Sequence, residues 1–165
     1  MEISLETKRI KTSNGTICNY VNIESDYNGF INLPAFSGED LNNLPLTLQK
    51  LYCYANYLTH LDNLPPNLKK LYCCFNQIEK LDNLPCGLIE LNCENNIIRS
   101  LDYLPESLKI LDCSHNIITS LNLLHNSLKE INLHSNLFNH KNIRELYPNL
   151  LINNKYGLDK HYYYM

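Results

Sequence analysis

No run of lysine or arginine longer than two residues occurs in this 165-residue chain, whose formal charge is −3 and whose pI is near 6.0. A surface that tracks phosphates needs clustered cations, so nucleic acid is not an expected partner. Also missing from the opening segment "MEISLETKRIKTSNGTICNY" is any apolar stretch of seven residues or more. Neither a secretory signal nor a membrane-spanning helix is therefore expected, and the chain should remain in the compartment where it is made. The Asn-Gly-Thr sequon at Asn14 then reads better as a hairpin turn at Asn14 and Gly15 than as a glycosylation site. No Ser/His/Asp or Cys/His set has catalytic spacing, so no enzymatic activity and no cofactor is expected. The length allows one core and one domain, and is too short for a binding domain plus an ordinary catalytic one.

Leucine and asparagine are what the chain has in excess, together about a third of its residues, and such a bias points to internal repeats. From Leu41 the sequence repeats every twenty residues without a gap: "LNNLPLTLQKLYCYANYLTH", "LDNLPPNLKKLYCCFNQIEK", "LDNLPCGLIELNCENNIIRS", "LDYLPESLKILDCSHNIITS", "LNLLHNSLKEINLHSNLFNH". Leucine holds positions 1, 4 and 8 in all five copies. Position 11 is Leu51, Leu71, Leu91, Leu111 and Ile131, and position 16 is Asn56, Asn76, Asn96, Asn116 and Asn136.

The segment "LKKLYCCFNQIEKL" and its four counterparts resemble the leucine-rich repeat family, over roughly 100 of the 165 residues. The "LPxxL" element at positions 4 to 8 further resembles the short repeats of some bacterial effector proteins. The resemblance implies a solenoid of the α/β horseshoe class, with parallel strands on a concave face and caps at both ends. Physics alone leads to the same stacking. A twenty-residue coil cannot bury its own apolar face, so coils stack, and alternation in "LYC" sends positions 11 and 13 inward and 10, 12 and 14 outward. Asparagine at position 16, with two donors and an acceptor, is suited to satisfy backbone groups where the chain turns out of the strand. Pro45, Pro65, Pro85 and Pro105 disfavour helix on the return face, where extended or polyproline-like backbone is expected.

The expected boundaries are an N-terminal β cap over 1–40, five repeats over 41–140 and a C-terminal cap and tail over 141–165. Two strands about Asn14 and Gly15 and an edge strand in "GFINLP" would form the first cap. The second would use Asn139 as a helix N-cap, a short amphipathic turn carrying Ile143 and Leu146, a stop at Pro148 and a last strand near 150–152.

Cys53, Cys73, Cys93 and Cys113 all fall at inward position 13. Stacked parallel strands put them in a straight column, whereas a tetrahedral metal site needs convergence on one point and a disulfide needs crossed geometry. Buried, unpaired thiols are expected, with no metal. Cys74 and Cys86 have no ligand or catalytic partner at suitable spacing and read as exposed thiols. Unpaired cysteines point to the cytoplasm or another reducing intracellular compartment, of a host cell if the effector resemblance extends to location.

The outward columns grade along the solenoid. Tyr52, Tyr54, Tyr72 and Phe75, flanked by Lys50 and Lys70, form an aromatic N-terminal half, while Glu90, Asn92, Glu94 and Asp112 form an acidic half. Exposed aromatics on a rigid scaffold serve as anchors of binding hot spots, and equally stack across strands for the sheet's own sake. The expected function is a non-catalytic module that binds an unidentified protein or peptide along these columns, with a passive structural protein as the alternative. On the first reading, truncating Tyr52 and Tyr72 would abolish binding and leave stability nearly unchanged. Effectors of the resembling type often carry a ubiquitin-ligase domain, for which the flanks here offer no room. Exposed sheet edges allow a homodimer.

Overall fold

The computed structural model describes residues 5–11, 17–23, 44, 46–121, 124–138 and 143–153. Two strands, β1 (Leu5–Lys11) and β2 (Ile17–Ile23), pair antiparallel from Leu5 opposite Ile23 to Lys11 opposite Ile17. The expected turn at Asn14 and Gly15 and the expected strand in 29–34 lie outside the described residues, as does the expected helix N-cap Asn139.

Within the repeats, positions 10 to 12 form three-residue strands: β3 (Lys50–Tyr52), β4 (Lys70–Tyr72), β5 (Glu90–Asn92), β6 (Ile110–Asp112) and β7 (Glu130–Asn132). They line up in parallel in chain order, and each residue pairs with the one twenty further on, as Leu51 with Leu71 and Leu71 with Leu91. The period read from the sequence is thus the physical height of one coil, about 4.8 Å.

Six columns of side chains fill the interior. Positions 4, 8, 11 and 13 are buried or nearly so in every described coil, and the thiols of position 13 have no solvent exposure. Leucines at position 1 and a sixth column, Leu58, Ile78, Ile98, Ile118 and Phe138 at position 18, complete the core. Each fully buried leucine contributes roughly 1.5–3 kcal/mol of transfer free energy, a burial that one coil cannot achieve alone.

Asparagine 16 turns the chain out of the sheet. The Asn96 amide donates to the carbonyls of Cys93 and Glu94 in its own coil at 3.0 and 3.2 Å and to Cys73 in the preceding coil at 3.1 Å. Its Oδ1 accepts from the Ile78 amide at 2.9 Å. Asn76, Asn116 and Asn136 repeat this arrangement, and Asn56 holds Cys53 and Tyr54 in the same way. Just before it, at position 15, the backbone is left-handed: Ala55, Phe75, Asn95, His115 and Ser135 have φ between 52° and 57°. A second left-handed site occurs at position 3, in Asn63, Asn83 and Tyr103. Asparagine tolerates that region with little strain, whereas a tyrosine there costs about 1–2 kcal/mol.

Among the described residues of the return face no coil contains helix. The carbonyls of Pro65, Pro85 and Pro105 each accept from the amide three residues later, at 3.0–3.1 Å, and His125 does the same where proline is replaced. Proline suits the first position of such a turn, because the turn uses its carbonyl and not the amide proton it lacks.

Beyond the fifth coil lies the only described helix, α1 (Ile143–Leu146), followed by β8 (Leu151–Asn153), which pairs in parallel with β7 as the sixth strand. One expectation fails here. Ile143 is buried, but Leu146 is 66% exposed. A single helical turn has room for one inward residue, and the packing role passes to Tyr147, whose hydroxyl accepts from the Leu124 amide at 3.3 Å and donates to the Leu121 carbonyl at 3.4 Å.

Candidate functional site

The strands present positions 10 and 12 on one continuous sheet surface. In its N-terminal half the rings of Tyr52 and Tyr72 stack at 4.6 Å between centroids and 9° between planes. The Lys50 ammonium lies 4.7 Å from the first centroid and 5.5 Å from the second. Tyr72 donates its hydroxyl proton to Glu90 Oε1 at 2.5 Å, and Lys70 Nζ stands 2.6 Å from Glu90 Oε2. Two aromatic rings, two ammonium groups and one carboxylate are therefore joined across three strands. Such cross-strand stacking and cation–π contact holds the side chains in one arrangement.

This arrangement corrects the expectation of open side chains at position 12. Tyr52 is 8% exposed and Tyr72 5%, because strands about 4.8 Å apart bring equivalent rings into van der Waals contact, and each ring covers the other. Truncating them therefore removes buried area. Phe75, 39% exposed, and the half-buried Tyr54, Lys50 and Lys70 remain accessible along the edge of the stack.

The acidic half departs further from the sequence reading. Asp112 has no solvent exposure, and Asn92 and Glu94 are also buried. The Asp112 carboxylate accepts from the Ser114 amide at 3.0 Å, from Ser114 Oγ at 2.6 Å and from Asn132 Nδ2 at 3.0 Å. Asn92 Oδ1 accepts from the Glu94 amide, and Asn132 Oδ1 from the His134 amide. Position 12 here is a column of short side chains folded back onto the backbone two residues on, a local bond that Asn and Asp make readily. Asp112 thus ties β6 to β7 through Asn132. That "NCE", "DCS" and "NLH" replace "YCY" and "YCC" in these coils is the sequence signal for the change.

The cysteine column stands inside the core. Burial raises the thiols of Cys53, Cys73, Cys93 and Cys113 far above their ordinary value, with nearby negative charge, that of Asp112 for Cys93 and Cys113, adding to it. Cys93 and Cys113 donate to the Asp112 and Asn132 carbonyls of the next coil at 3.3 and 3.4 Å. Cys74 is not the exposed thiol the sequence suggested: it is half-buried, and burial, then the charge of Glu94, pushes it up to about 12. Among the six cysteines from Cys53 to Cys113, Cys86 alone is exposed, and all six are free thiols. His115 and His134 meet edge to face at 5.5 Å. Among the described residues no three histidine, cysteine, aspartate or glutamate side chains converge as a cation would require, and no helix is long and apolar enough to cross a membrane.

No protein-family model and no curated protein matches the chain. Among solved structures it is similar to the leucine-rich-repeat domain of a Shigella effector, with 26% identity and a TM-score of 0.55 over 76% of this chain and 67% of that one. It is also similar to YopM from Yersinia enterocolitica WA-314, with 33% identity and a TM-score of 0.47 over 58% of this chain; the match spans only 26% of YopM. In fold the chain is a leucine-rich-repeat solenoid of about five turns, with stacked parallel strands and little helix.

Proposed function

We propose that the chain is a non-catalytic binding module whose partner is a protein or peptide lying along the N-terminal half of the strand surface. The observation that carries this reading is the prearranged cluster of Tyr52, Tyr72, Lys50, Lys70 and Glu90, bordered by Tyr54 and Phe75. A contact surface whose rotamers are already fixed loses little entropy on binding, and tyrosine supplies area at low entropic cost. In this reading the stacked rings are the floor, and Tyr54, Phe75 and the two lysines make first contact. The likeness to an effector's repeat domain supports a role in protein recognition. The column of buried, unpaired thiols supports a reducing intracellular setting.

Photo-crosslinking tests the placement. A photoreactive phenylalanine analogue replacing Tyr54 is expected to trap a discrete partner that the same analogue at Glu106, on the return face, does not. Phe75→Ala with Lys50→Ala is expected to abolish that adduct while the melting temperature holds. Equal crosslinking from both faces would defeat the assignment.

The C-terminal half supports the passive reading instead. Asn92, Asp112, Ser114 and Asn132 spend their polar atoms on one another and on the backbone, and offer a partner little. The two readings divide the sheet between them.

A further inference from the structure

A second surface runs along the flank of the solenoid, just past the strands. Amides at position 17 donate to the carbonyl at position 18 of the preceding coil: Gln77 to Leu58, Ile97 to Ile78, Ile117 to Ile98 and Leu137 to Ile118, at 2.9–3.1 Å. This second ladder fixes an alternation in which positions 16 and 18 face the core and 15, 17 and 19 face out. The outward column at position 17 is apolar in four of five coils. Tyr57 is 76% exposed, Leu137 69% and Ile97 39%, with Ile117 half-buried between them. Beside it, position 19 reads Thr59, Glu79, Arg99 and Thr119. Glu79 and Arg99 occupy adjacent coils and are exposed, yet neither has an ion-pair partner among the described residues.

We infer that this flank is a self-association face that a second copy of the chain covers with its coils in the opposite order. A two-fold axis running across the coils, in the plane of the flank, brings each column onto its own counterpart and reverses the coil order. Placed between the second and third coils, it sets Glu79 against Arg99 of the other copy, twice. The same axis puts Tyr57 on Ile117 and Gln77 on Ile97, also twice, and leaves Leu137 opposite none of the four paired coils. Moving it onto the third coil sets Arg99 against itself, and moving it one step further sets Arg99 against Thr119. Charge therefore selects one register.

Four coils of about 4.8 Å by four residues of about 3.3 Å give a patch of roughly 250 Å². That is well below the roughly 800 Å² per partner of a standard interface, so the dimer is a weak one that assembles at high concentration.

Sedimentation velocity on the full chain from about 10 μM to about 1 mM tests this. The wild type is expected to move from 19.2 kDa toward twice that mass. Ile97→Asp should remain monomeric throughout, and Glu79→Arg should weaken association about fivefold or more. Glu79→Arg combined with Arg99→Glu should restore wild-type affinity, and Leu137→Asp should leave it unchanged. All these residues are exposed or on the surface, and matching melting curves verify folding. A wild type that stays monomeric to about 1 mM, a dimer indifferent to Ile97→Asp, or a double charge change no better than the single one overturns the proposal.

Discussion

Single side chains in this molecule act between coils more than within them. Asn96 satisfies backbone groups in two coils with one amide. Asn96→Leu leaves them buried without partners, and a loss of about 1–3 kcal/mol is expected in a urea titration. Asn96→Asp should cost at least as much, because a carboxylate would face three carbonyls without a proton to donate. Tyr72→Ala opens the stack and strips a donor from Glu90; an expected cost of about 2–3 kcal/mol distinguishes a packed ring from a free anchor, whose loss would hardly shift the midpoint. The thiols add a pH dependence. Burial raises their folded values above the ordinary 9.0, so the fold favours the protonated form. Their contribution is fully present below about pH 9 and is lost as pH rises toward the folded values, since the unfolded chain releases those protons first. The stability slope above pH 9 is expected to reach about 1.4 kcal/mol per pH unit for each thiol, and Cys113→Ala should make it measurably shallower.

At the scale of the coil, the period, a strand around positions 10 to 14, of which 10 to 12 form the ladder, the inward thiols and the turn asparagine were legible, because each rests on an alternation or a repeat that one chain displays to itself. The accessibility of position 12 was not. Alternation tells which way Tyr52 points; it does not say that a ring twenty residues on will cover it, which depends on the spacing of stacked strands. Asp112 was missed for a related reason, since its acceptors are used up by Ser114 and Asn132, contacts that charge counting cannot foresee. The left-handed backbone at position 15 carries only a faint signal, the single asparagine at Asn95 among Ala55, Phe75, His115 and Ser135. It makes a further test of the coil: Ala55→Val, which places a β-branched residue at φ 54°, is expected to lower the melting temperature, whereas Ala55→Gly should leave it level or raise it.

For the whole molecule, the in-register pairing of β3 through β7 makes length a variable that can be changed in whole coils. A copy of 61–80 inserted after Lys80 adds one strand and one asparagine in phase, and a cooperative unfolding transition with a larger urea slope is expected. Ten residues inserted there cannot complete a coil and should loop out, leaving the urea slope nearly unchanged. Direction matters as well. Each asparagine reaches back, never forward: Asn136 secures Ile118 and Cys113, Asn116 secures Ile98 and Cys93, and so on toward the first coil. Fraying at the C-terminal end therefore leaves backbone groups of the coil before it without their partner, while fraying at the other end leaves the asparagine side chain of the coil after it short of two partners, as Asn76 would lose the Cys53 carbonyl and the Leu58 amide. An interior coil is held from two sides and an end coil from one, so unravelling should begin at the ends and move inward one coil at a time, as a stack of coins is dismantled.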